Sequence, residues 1–75
     1  MTQTFGEKAV GLSFNPSGDD AVTQIKRDFA SAITRLDDLR NAPGASGDVK
    51  RMLSVAITEA QTAQMWAVKA VTWKD

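Results

Sequence analysis

The stretch from Ser46 to Lys74 offers more apolar helical faces than one neighbour can cover. Val49, Leu53, Ala56, Ala60, Ala63, Ala67 and Ala70 recur at alternating spacings of three and four, which predicts one buried helical stripe. Met52, Val55, Glu59, Thr62, Trp66 and Trp73 fall on a second face that ends in two indoles seven residues apart. A single hairpin partner covers only one of these faces, so the stretch predicts self-association.

Size strengthens that expectation. A chain of 75 residues makes one small domain, and a core drawn from so few residues is marginal without a metal, a disulfide or a partner copy. Cys 0 removes disulfides and thiolates, and His 0 removes the commonest transition-metal ligand. No metal site and no cofactor is predicted, which leaves a homo-oligomer as the source of further burial. Lys+Arg 9 against Asp+Glu 9 gives no bulk positive field, which argues against a DNA or RNA binder held by phosphate neutralisation. No apolar run approaches the ~20 residues that span a bilayer. The segment Met1 to Lys8 has neither the basic nor the apolar region of a secretory leader. The expectation is a soluble, intracellular protein with no membrane partner.

In chain order the pattern divides into an N-terminal arm and ligand loop (1–18), a first long helix (19–41) and a second (46–74). Residues 1–11 carry scattered apolar positions, Phe5, Ala9 and Val10, that suit either two helical turns or a disordered lead-in. Leu12 to Asp19 reads as a loop, because Pro16 disfavours the α conformation at Asn15 and Gly18 permits a positive φ. Asp19 or Ser17 is placed to cap the helix that follows. Its apolar rhythm is Val22, Ile25, Phe29, Ala32 or Ile33, Leu36 and Leu39, and Gln24, Arg27, Asp28, Ser31, Thr34, Arg35 and Asp38 make the solvated face. Pro43 and Gly44 break the pattern and Ser46 caps the last helix. Two long helices joined by a short loop predict an all-α protein: an antiparallel helical hairpin with a short N-terminal helix or arm, assembled as a homo-oligomer.

Catalytic chemistry finds no footing in these residues. Conventional general bases and thiol nucleophiles are absent. The carboxylate pairs Asp19-Asp20 and Asp37-Asp38 are adjacent in sequence, so on a helix they point about 100° apart and do not share a proton. The glycines form no phosphate-cradling motif. The prediction is a protein that is not an enzyme.

A ligand site has better support in the loop before the first long helix. Phe14 is an aromatic in a Pro-stiffened segment, placed either as a stacking platform or as a staple against the hairpin. Free N–H groups at the start of the next helix, with Lys26 and Arg27 two turns in, suit an anionic ligand that carries a base. Trp66 is read as an oligomer contact and Trp73 as either contact or stacking surface, with Lys69 between them.

The step Ala56-Ile57-Thr58, followed by Met65-Trp66-Ala67-Val68-Lys69-Ala70 and preceded by the Phe14-Asn15-Pro16 loop, resembles the hairpin domain of phage anti-CBASS cyclic-nucleotide sponges. The same hairpin occurs in Thoeris anti-defence sponges. These carry an additional N-terminal β region for which this chain has no room, so it looks more like the anti-CBASS type. The resemblance implies a compact hexamer, in the cytoplasm of the infected bacterial host, that binds cyclic oligonucleotide messengers without cleaving them and keeps them from their effectors. It assigns Phe14 to base stacking, Asn15 and Pro16 to loop shape, and phosphate contact to Lys26, or to Arg27 if the loop register differs by one. Met65, Trp66 and Lys69 are the expected oligomer interface, and Trp73 and Lys74 stand where some members bind cyclic trinucleotides. Two departures stand out: the loop aromatic is usually Tyr and Tyr is absent here, and Trp73 occupies a position that is commonly Arg. The competing expectation is a non-catalytic helical-hairpin adaptor or regulatory protein that binds another protein through its Trp/Met face.

Overall fold

A computed structural model describes residues 2–13, 15 and 18–74, which form three helices and no strand: α1 (Phe5–Val10), α2 (Asp20–Arg40) and α3 (Gly47–Val71). Six residues are too few for a helix to persist alone, and α1 persists because both its ends are closed. Glu7 N donates to the Thr4 hydroxyl at 3.1 Å and Thr4 N donates to the Glu7 carboxylate at 2.7 Å, a capping box. At the other end Gly11 takes φ 63, a left-handed conformation that suits glycine. Gly11 N then bonds to the Lys8 carbonyl at 3.1 Å and Leu12 N to the Glu7 carbonyl at 2.9 Å, the paired bonds of a Schellman ending. These local signals decide between the helical and disordered readings of the arm.

The long helices start on the side chains their sequence offers. Ala21 N donates to the Asp19 carboxylate at 2.8 Å, and Val49 N donates to the Ser46 hydroxyl at 3.2 Å. Gly44, with φ 88, turns the connection between α2 and α3. Arg40 ties the turn end of the hairpin: its guanidinium bonds to Asp37 at 2.6 Å and to Ser54 of α3 at 3.0 Å, and lies 5.3 Å from the ring of Phe5 in α1. One side chain therefore touches all three helices.

The helices lie side by side in a single layer with α2 in the middle, giving Cα extents of 47 × 30 × 13 Å. So thin an arrangement buries little. Ile33 of α2 is fully enclosed, among Val10 of α1, Ala30 of α2 and Ile57 of α3, with Phe29, Leu36, Leu12 and Ala60 around them.

The seam on α3 differs from the expected stripe. Leu53, Ala56, Ala60 and Ala67 are half-buried, but the buried residues of the helix are Ile57 and Gln64, while Val49, Ala63 and Ala70 are exposed. Spacings of four-three and three-four pass through the same three residues, and Ile57 decides between them because it fills more volume than Ala56. On α2, Lys26 and Ala30 are buried and Leu39 is 48 % exposed. The cause is α1, which covers a second face of α2 that reads as mixed in the sequence.

Gly6 sets how close α1 comes. A Cβ at this position would sit 1.9 Å from the Ala30 carbonyl oxygen. The Gly6 N–H, which as a first-turn donor has no partner within its own helix, donates to the Thr34 hydroxyl of α2 at 3.0 Å. Gly6→Ala should therefore push α1 off α2 and cost about 1–3 kcal/mol of stability, read as a lower urea midpoint.

Candidate functional site

Lys26 sits in the second turn of α2 with only 7 % of its surface exposed. Its ammonium donates to the Gly11 carbonyl at 3.0 Å. A cation at this place also meets the negative end of the α1 dipole. Gln61 of α3 supplies the matching bond, donating to the Ala9 carbonyl at 3.1 Å. The Ala9 carbonyl in the last turn of α1, of the kind a helix leaves unpaired, and the Gly11 carbonyl just past its end are thus taken by side chains from both long helices.

Asn15 anchors the far side of the loop. Its side-chain amide donates to the Asp19 carbonyl at 3.0 Å and to the Thr23 hydroxyl at 2.9 Å, and its own carbonyl accepts from Gly18 N at 3.1 Å. Thr23 and Lys26 are three residues apart on α2 and so share a face. The loop is therefore fastened to one face of α2 at two points, Gly11 on Lys26 and Asn15 on Thr23. Phe14 and Pro16, assigned from the sequence to stacking and loop shape, lie outside the described residues. Thr23 and Gly11 were missed: Thr23 acts as an acceptor for Asn15, and Gly11 acts through a backbone carbonyl, which no side-chain pattern reveals.

Arg27 is not brought to this face. It is exposed and lines an open groove of about 620 Å³ with Thr4, Gln24, Ser31 and Arg35, along the solvated side of α2 and the start of α1. Lys26 and Arg27, adjacent in sequence, present their cations to different surroundings.

At the other end of the chain the structure gathers three of the expected contact residues. The Lys69 ammonium lies 5.1 Å from the ring centre of Trp66 and 5.8 Å from that of Trp73, within cation–π range of both. Met65, Trp66 and Trp73 are 61 %, 65 % and 63 % exposed, and Lys74 is exposed beyond them. Among the described residues there is no cluster of three or more His, Cys, Asp or Glu suited to a metal, and no helix long and apolar enough to cross a membrane.

The chain matches the family described as Acb2/Tad1, hairpin domain, over residues 7–72. It belongs to that family. The match runs from Glu7 of the α1 capping box through the anchored loop and both long helices, and stops one residue before Trp73. Acb2/Tad1 proteins are sponge-type binding proteins rather than enzymes, and membership points to a phage anti-defence role. No curated protein and no solved structure matches the chain at a significant level.

Lys26→Met keeps the aliphatic stem of the side chain but removes the donor to Gly11. It should lower stability by about 1–3 kcal/mol, the cost of leaving a buried polar partner unmatched, measured by equilibrium urea denaturation.

Proposed function

We propose that this protein captures cyclic oligonucleotide second messengers, chiefly cyclic dinucleotides and in addition cyclic trinucleotides, and holds them uncleaved so that CBASS effectors are not activated. The observation that carries the reading is the loop fastened across the Thr23 and Lys26 face of α2, inside the segment that matches the sponge family. The sequence carries Phe14 between the two anchors and Pro16 directly after the second. In this reading Phe14 stacks on a base, Asn15 and Pro16 shape the loop, and Lys26 meets a phosphate; Arg27, the alternative phosphate partner if the loop register differs by one, faces the groove beside Gln24 and Ser31 instead. Trp73 and Lys74 are the residues proposed for a second, trinucleotide site.

Energetics require more than one protomer. Nanomolar capture takes about 12 kcal/mol, whereas one aromatic stack contributes ~1–3 kcal/mol and one charged hydrogen bond a similar amount. A single layer of three helices gives a ligand little enclosure, while a pocket closed by a second protomer desolvates it and presents each contact twice to a two-fold symmetric dinucleotide. The homo-oligomer, a hexamer in this reading, has Met65, Trp66 and Lys69 at its contacts. It acts in the cytoplasm of the infected bacterium.

Thermal unfolding with a panel of cyclic di- and trinucleotides tests the reading. A ligand at a hundred times its dissociation constant adds about 2.7 kcal/mol of stability, so a clear rise in melting temperature is expected for at least one. No response across the panel would favour the protein-binding adaptor instead. For a responding dinucleotide, Phe14→Ala should weaken binding by about 10- to 100-fold in calorimetry, the value of one lost stack. Undiminished affinity would remove Phe14 from the site.

A further inference from the structure

On the side of α3 away from the hairpin seam, Met52, Val55, Glu59, Thr62, Trp66, Lys69 and Trp73 follow one another at spacings of three and four without a break. That is the repeat of a coiled-coil seam, and every one of these residues is exposed. Val55, Trp66 and Trp73 are 49 %, 65 % and 63 % exposed. Trp73 lies just past the end of α3, yet its N–H bonds to the Ala70 carbonyl at 3.2 Å and its ring stays by Lys69, so it continues the row.

We propose that this row is the docking surface for a second copy of the chain, with the two α3 helices antiparallel about a two-fold axis. The axis crosses the row between Thr62 and Trp66, at the level of Gln64, whose own side chain is buried on the opposite, seam side. The charges and volumes select this register. Setting Thr62 against Trp66 of the second copy sets Glu59 against its Lys69 and Val55 against its Trp73, and symmetry repeats each pair. Every indole then faces a smaller side chain, and both charges face their opposites. Glu59 makes no ion pair within the described residues, so it is open to this one. A parallel pairing in register would instead set Glu59 on Glu59, Lys69 on Lys69 and indole on indole, combining like-charge repulsion with overfilled layers. In the antiparallel arrangement the Lys69 ammonium remains over its own indoles while it meets the glutamate, and the aromatic rings supply most of the area removed from water.

This inference rests on the self-association part of the proposed function and not on its ligand, so it is tested without any nucleotide. Sedimentation velocity on the wild-type chain should show association. Glu59→Lys and Lys69→Glu, each alone, bring like charges together twice per pair and should raise the dissociation constant at least about tenfold. The double exchange Glu59→Lys/Lys69→Glu should return it to the wild-type value. Cysteines supply an independent readout, since the chain has none of its own. Glu59→Cys/Lys69→Cys should form a disulfide-linked dimer on mild oxidation, because within one helix these positions are about 15 Å apart and beyond bonding reach. Glu59→Cys alone should cross-link poorly. Helicity by circular dichroism checks that each variant is folded. A monomeric wild type, single charge variants that associate normally, a double exchange no better than the singles, or efficient linkage by Glu59→Cys alone would overturn the proposal.

Discussion

The crossing of α1 over α2 at Gly6 is the contact on which the loop between these helices depends. Two backbones meet there with no side chain between them, and Thr34 accepts the amide that α1 leaves free in its first turn. With the start of α1 fixed, its C-terminal carbonyls fall within reach of Lys26 and Gln61, and the chain leaves Gly11 already directed along α2. Asn15 then completes the path to Asp19. A glycine thus determines where a loop begins, although it contacts no part of that loop.

Lys26 joins the structural and the functional arguments. In the free chain its ammonium closes α1, so its rotamer is set before any ligand arrives and less entropy remains to be lost on binding. The same bond makes the loop's entry and the cation one unit. In the proposed function a phosphate would meet a group already oriented by the fold, which is the form of preorganisation that raises affinity without adding contacts.

The single-layer architecture explains why so much apolar surface is left over. Small domains usually stack two layers so that each helix hides its apolar stripe. Here α2 packs against both α1 and α3, α3 meets α1 around Ile57 and Gln61, and among the described residues nothing covers the second apolar face of α3. Among the described residues Ile33 alone reaches complete burial. The Trp66, Lys69 and Trp73 group lies on that uncovered side.

Local chemistry was legible in the sequence wherever a residue acts on its near neighbours. Asp19 and Ser46 cap the long helices, Pro43 and Gly44 separate them, and the surplus face of α3 is visible as a row of apolar and aromatic residues with no place in the hairpin. All of these depend on interactions within a few residues, where spacing alone fixes geometry. That Ile57 and Gln64 are the buried positions of α3, and that Lys26 and Ala30 are buried on α2, were decided only by the tertiary structure. The first follows from the volume of Ile57 at the seam, and the second from where α1 lies. That position is set by a backbone contact between residues far apart in the chain, and a contact made by a missing side chain leaves no pattern in the sequence to read.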